Sequence, residues 1–160
     1  MRYLFIILMA FLPLVPIDSS DEVRVFRGTS SYYSDIICTV RDGKVYRKHS
    51  NYYSDIICTI RQNRIFKGTS YYTSDVLYTI RNNQVFKGTS TYRSDILLTV
   101  RNGQIYKGTS TYRSDILATI RDNRVFEGTS NYRSDIRFTF NGPLSLEEFI
   151  AVWYAANYVY

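Results

Sequence analysis

A twenty-residue unit, GTSTYRSDILLTVRNGQIYK in its clearest copy, recurs with small edits six times between Asp21 and Phe140. Each copy is too short to bury an apolar face alone, so the copies must stack on their neighbours and share one core. The 160-residue length leaves no room for a second globular domain beside the array. Any function the repeats carry is therefore expected to be multivalent.

Aligned, the copies place Ile or Val at 36, 56, 76, 96, 116 and 136, Thr at 39, 59, 79, 99, 119 and 139, and Arg at 41, 61, 81, 101 and 121. Two turn residues follow, as in Asp42-Gly43, Asn82-Asn83 and Asn102-Gly103. These types tolerate the positive φ that both centres of a type I′ hairpin turn require. A β-branched and then an aromatic residue come next, such as Val45-Tyr46, Val85-Phe86 and Ile105-Tyr106. Each repeat is thus predicted to give two short strands. All three prolines lie outside the repeats.

A two-residue turn at Asn102-Gly103 pairs Arg101 with Gln104, Val100 with Ile105, Thr99 with Tyr106, Leu98 with Lys107 and Leu97 with Gly108. Simple alternation then assigns Val100, Ile105 and Ile96 to one face, and Thr99, Tyr106 and Leu97 to the other, where Tyr106 could cover Gly108. Both faces are partly apolar. Twelve such strands must coil, close into a ring, or fold their loops across the sheet.

The longer connection carries a tyrosine in every copy: Tyr32, Tyr52, Tyr72, Tyr92, Tyr112 and Tyr132. It ends in Ser-Asp, and Asp35 to Asp135 at intervals of twenty suit an Asx turn that accepts loop N–H groups. The fold class expected is an all-β repeat protein of six two-strand hairpin units in a coiled or closed antiparallel meander. A parallel β-solenoid is the alternative. It would stack Asp95 on Asp115 and Arg101 on Arg121 at about 4.8 Å, which disfavours it. Cys38 and Cys58 hold the same position in successive repeats. On a solenoid rung they are a candidate disulfide, whereas in a meander they stand about 9 to 10 Å apart, beyond the usual Cα limit of about 7 Å. As buried thiols they act as small hydrophobes.

The expected organisation is a signal peptide over 1–20, the repeat array over 21–142 and a helix within 143–160. At the front, Arg2 precedes an apolar run broken by Pro13 and Pro16, the layout of an export signal. Secretion or the cell envelope is the location this implies. The membrane would be met only through an uncleaved N-terminal segment, and the run is short for a span of about 20 residues. After Asn141-Gly142-Pro143, Ser145 and Glu148 form a capping-box pattern, and Leu146, Phe149, Ile150, Trp153 and Ala156 make one apolar stripe. The expectation is a capping helix on the last hairpin, sealing an open edge. A partner-binding helix is the other reading.

No nucleophile with its base, paired-carboxylate site, phosphate loop or metal-ligand spacing is visible, and His49 is the one histidine. One aspartate per repeat lacks the clustered oxygens that calcium requires. An enzyme is not expected, nor a cofactor or metal. The formal charge is +6 and tyrosine supplies 16 residues. Lysine and arginine on a repetitive sheet also keep it soluble and blunt its edges.

Tyrosines beside Arg, Ser and Thr suit stacking on sugar faces with hydrogen bonds around them. The candidate ligand contacts are Tyr92, Arg93, Tyr112, Arg113, Tyr132 and Arg133, because arginine follows the loop tyrosine only in the later copies. Glycan-type or acidic polymers of the envelope or host are the partners expected. Self-association through sheet edges into a structural surface layer is the alternative. Single-stranded nucleic acid would also stack on aromatics in a basic groove, but export argues against it. In period and hairpin-plus-loop unit the array is similar to choline-binding repeats, without their Gly-Trp and Trp-Tyr-Tyr signatures, so no choline pocket is implied. It also resembles small propeller-like rings of hairpins.

Overall fold

A computed structural model describes residues 22–159; the expected signal peptide lies outside the described residues. Twelve strands run in sequence as β1 (Val23–Arg27), β2 (Ile36–Arg41), β3 (Lys44–Arg47), β4 (Ile56–Arg61), β5 (Arg64–Lys67), β6 (Val76–Arg81), β7 (Gln84–Lys87), β8 (Ile96–Arg101), β9 (Gln104–Lys107), β10 (Ile116–Arg121), β11 (Arg124–Glu127) and β12 (Ile136–Phe140). One helix, α1 (Leu146–Tyr158), follows. Each strand pairs antiparallel with its sequence neighbours, and β1 pairs with β12, so the meander closes into a barrel. Closure excludes the solenoid. Among the described residues it also leaves no sheet edge to template edge-to-edge assembly.

The hairpins have the register read from the turns. Arg101 faces Gln104, Val100 faces Ile105, Thr99 faces Tyr106 and Leu98 faces Lys107. Both turn centres have positive φ in Asp42-Gly43, Asn82-Asn83, Asn102-Gly103 and Asp122-Asn123. At Gly103 (φ +71) an added Cβ would also meet the Ile120 carbonyl oxygen at 3.0 Å, so glycine fits there without strain where Asn83 and Asn123 serve in other copies.

Between repeats the register slips once per copy: Val85 faces Leu98, but Phe86 faces Ile96, leaving Leu97 as the extra residue of a β-bulge. The slip corrects the simple alternation. Cross-strand partners share a face, so Ile96 stands outside with Phe86 and Thr99, while Val100, Ile105 and Leu98 point inward. Ile37, Ile57, Leu77 and Leu117, at the bulged position, pack against the core.

The interior is occupied. Phe149 through Trp153 are buried without interruption, which a helix lying on a surface with one apolar stripe would not show. Phe149 packs on Phe138 and Phe140 at ring-centroid distances of 6.5 and 6.4 Å. Tyr154 meets Tyr78 of β6 edge-on at 5.8 Å. At the turn end Leu146 and Phe149 share a cleft with Asn123 and Phe140, and at the other end Ala156 lies beside Arg27 and Ile37. The helix therefore threads the barrel lumen; it does not cap an edge. Its start carries the expected capping box, with Ser145 Oγ accepting from Glu148 N and Glu148 Oε2 accepting from Ser145 N. At its exit Arg137 sits 5.2 Å from the Trp153 ring and donates to Asn157 Oδ1.

The strands of four to six residues fall short of the roughly nine to eleven that a membrane-spanning β-strand needs. No helix among the described residues is long and apolar enough to cross a membrane.

Cys38 and Cys58 are free, buried thiols, and β3 runs between their strands. The disulfide considered for a solenoid is not formed. Burial pushes the Cys58 thiol up from 9.0 to about 12 and the Tyr78 phenol up from 10.0 to about 12. Burial, and then Cys58, also raise Cys38. A raised folded-state pKa gives stability that is complete below the unfolded value and is lost as pH rises through the folded one. The denaturation midpoint is thus expected to hold to about pH 9 and fall steadily towards pH 12. A native thiol titration should show neither cysteine reacting until the barrel unfolds. Rapid labelling of the folded chain would contradict this burial.

Candidate functional site

The barrel's outer wall is overlaid by its own long connections. Each begins with a residue in the left-handed region, Gly28 (φ 57), Lys48 (φ 51), Gly68 (φ 53) or their successors. The chain then doubles back along the wall towards the hairpin turns. Arg121, at the turn end, donates from one guanidinium nitrogen to Ser130 O (3.1 Å) and Asn131 Oδ1 (2.7 Å). Arg41 reaches Asn51 Oδ1 at 2.8 Å in the same way.

One relay pins every connection. The Ser110 hydroxyl donates to Asp115 Oδ2 at 2.5 Å and accepts from Tyr112 N at 3.1 Å, and the same pair recurs in all six copies. Asp115 N closes a single 3₁₀ turn by donating to Tyr112 O at 3.1 Å. The aspartates thus take the serine hydroxyl, where an Asx turn to loop N–H groups was expected. Hydrogen bonds from Ser130 and Ser134 hold the Asp135 carboxyl below its usual value. Threonines of the even strands complete the fixing: Thr99 Oγ1 donates to Gly108 O at 2.6 Å and Thr119 Oγ1 to Gly128 O at 2.7 Å.

Between successive connections the outer wall is left open as grooves. The groove between repeats 5 and 6 has a volume of about 610 Å3. Tyr106 and Ile116 line its base, Arg113 and Arg121 its sides, and Gln104 and Asn131 add polar groups. The next groove, about 280 Å3, repeats the pattern with Phe126, Ile136 and Arg133, and is completed by Thr29 of repeat 1. Ring closure therefore supplies a neighbour for the last repeat. An arginine lies over the aromatic base in several copies: Arg101 over Tyr106 at 5.1 Å, Arg121 over Phe126 at 4.7 Å and Arg41 over Tyr46 at 4.7 Å.

Of the residues singled out from sequence, Arg113 and Arg133 line these grooves, and Arg93 holds the equivalent position one repeat earlier. Tyr92, Tyr112 and Tyr132 do not line them. They stand out from the connections with 73 to 75% of their surface exposed, in a girdle that Tyr32, Tyr52 and Tyr72 complete. Sequence reasoning missed Tyr106 and Phe126 as the base, although the repeating β-branched–aromatic pair was visible. Among the described residues no three His, Cys, Asp or Glu side chains lie close enough to hold a metal ion.

The sixfold repetition of hairpins has a counterpart in a known family. The family model for "6-fold beta flower protein" matches residues 23–153. The chain belongs to that family. The match takes in the strands from β1 onward and the buried core of α1, so the lumen helix is part of the beta flower as matched. An X-ray structure of a protein from Arabidopsis thaliana is similar over 84% of this chain and 86% of its own, at 18% identity and a TM-score of 0.46. No curated protein matches the beta flower sequence.

Proposed function

We propose that this beta flower is a non-enzymatic, exported binding module that holds glycan-type polymers of the cell envelope or host across its outer grooves. The observation that carries the reading is the groove between repeats 5 and 6, lined by Arg113, Arg121, Gln104 and Asn131 and bordered by connections that carry the exposed Tyr112 and Tyr132. An exposed tyrosine face beside the groove takes the apolar side of a sugar ring while planar donors within it take the sugar oxygens; the Tyr106 ring at the base is buried beneath Arg101. No carboxylate, imidazole or thiol lines that groove to activate a hydroxyl there. The apolar N-terminal run supports export. Repetition around the ring supports binding to a polymer more than to a single sugar, since linked sites raise each other's effective concentration.

The test uses the full chain, because closure needs β12 on β1 and a shortened array has no closed form. Binding to envelope and host polysaccharides is measured at near-physiological salt beside their monomeric sugars. Saturable binding to a polymer, roughly a hundredfold or more tighter than to its monomer, is expected. Equal affinity per sugar unit would remove the multivalent reading, and no binding to any polymer would remove the proposal.

A further inference from the structure

We infer that sugar chains bearing carboxylate or sulfate groups are held on the arc of repeats 4 to 6, around Arg93, Arg113 and Arg133. The inference rests on the polymer-binding reading and names the ligand chemistry for it.

In the open array, arginine after the loop tyrosine is a gradient along the chain. In the closed ring, those three copies become one contiguous arc facing Tyr33, Tyr53 and Thr73 across the barrel. The hairpin arginines are engaged on both arcs: Arg41 contacts Glu22 at 3.5 Å, Arg61 lies 3.5 Å from the ring centroid of Tyr71, and Arg121 donates to Ser130 O and Asn131 Oδ1. The difference between the arcs therefore lies in the loop arginines. Among the described residues both ion pairs use Glu22, in repeat 1. Arg93, Arg113 and Arg133 have no acidic partner there. On the early arc Tyr33 instead lies tilted against His49 at 4.1 Å and keeps 56% of its surface exposed, with Tyr53 and Tyr71 more exposed still.

In the groove between repeats 5 and 6, Arg121 is oriented by Ser130 O and Asn131 Oδ1, while the Arg113 side chain, which also lines it, makes no hydrogen bond among the described residues. A carboxylate or sulfate entering there meets one guanidinium held in place and one able to close on it. Guanidinium forks match both anions with paired, charge-assisted hydrogen bonds. A neutral sugar gains none of that charge complementarity.

Titrations of the full chain with polygalacturonate, dextran sulfate and uncharged dextran test this. The variants are Arg93→Gln/Arg113→Gln/Arg133→Gln and a charge-matched control, Lys67→Gln/Lys87→Gln/Lys107→Gln, whose exposed lysines end β5, β7 and β9. All melt curves are checked against the parent. The arginine triple is expected to lose roughly tenfold or more in affinity for the acidic polymers, with the lysine triple within about twofold of the parent. Equal losses in both triples would mean diffuse charge and overturn the arc. Acidic binding unchanged in the arginine triple would overturn it too. Parent binding to dextran but to neither acid would leave the polymer-binding reading standing and sink this one. Binding to none of the three overturns both.

Discussion

A chain ending at residue 142 is expected to lose its cooperative unfolding transition altogether. Had the helix been a lid on an open edge, the same truncation would expose that edge and drive oligomerisation of an otherwise folded array. The structure makes a different outcome follow, because Phe149, Ile150, Val152 and Trp153 fill the lumen. Each such side chain contributes about 1.5–3 kcal/mol when buried, and four together rival the roughly 5–15 kcal/mol by which a whole domain is stable. The wall around them would then border a void too large to collapse, a further cost that scales with cavity volume. Near-UV circular dichroism and thermal melts of the truncated chain measure this. A sharp transition with native aromatic signals would show that the wall stands without its plug. A milder change, Trp153→Ala, is expected to cost about 3–5 kcal/mol.

Deleting one whole repeat, residues 81–100, is expected to destroy the fold and not to yield a smaller ring. In an open stack, losing one unit removes one interface and leaves the rest in place. Here the diameter falls almost linearly with strand number, so ten strands would enclose a lumen about one sixth narrower. A helix with its side chains needs about 10–12 Å, and the inward rows that pack on α1 would overlap it. The seam would suffer as well: Val25 opposite Phe140, and the Arg24 N–H to Asn141 Oδ1 bond of 2.7 Å, form only when β12 arrives at β1 with the correct offset. Size-exclusion and near-UV spectra should show an expanded or aggregated chain. A monomeric five-repeat protein with a sharp melt would show that the lumen can be repacked.

The repeat, the two strands per copy and the hairpin register were legible because turn chemistry and period-two alternation are local. The bulge was not. Nothing in the alternation of Ile96, Leu97 and Leu98 marks one of them as extra, and that residue decides that Ile96 lies outside and Leu98 inside. The helix position was half-visible. A stripe of Leu146, Phe149, Ile150, Trp153 and Ala156 was read, yet Ala151, Val152 and Ala155 on the remaining sides are buried too, and an apolar surface all round marks an enclosed helix. Among candidate contacts, the arginines were found because they break the repeat's uniformity. Tyr106 and Phe126 were overlooked because an aromatic residue in a strand signals packing as readily as recognition, and only the doubled-back connections make it the base of a groove.

The pairing of β1 with β12 also sets the order in which the molecule can be made. Every other strand pair joins sequence neighbours, and such local contacts form early with little loop-closure cost. The seam joins Val25 to Phe140, and the helix that fills the lumen is later still. On a ribosome the hairpins therefore emerge one by one with their inward rows uncovered, and the nascent chain stays sticky until α1 arrives. A copy stalled before that helix is left in the exposed state, so this architecture places its burden of quality control on delivering α1.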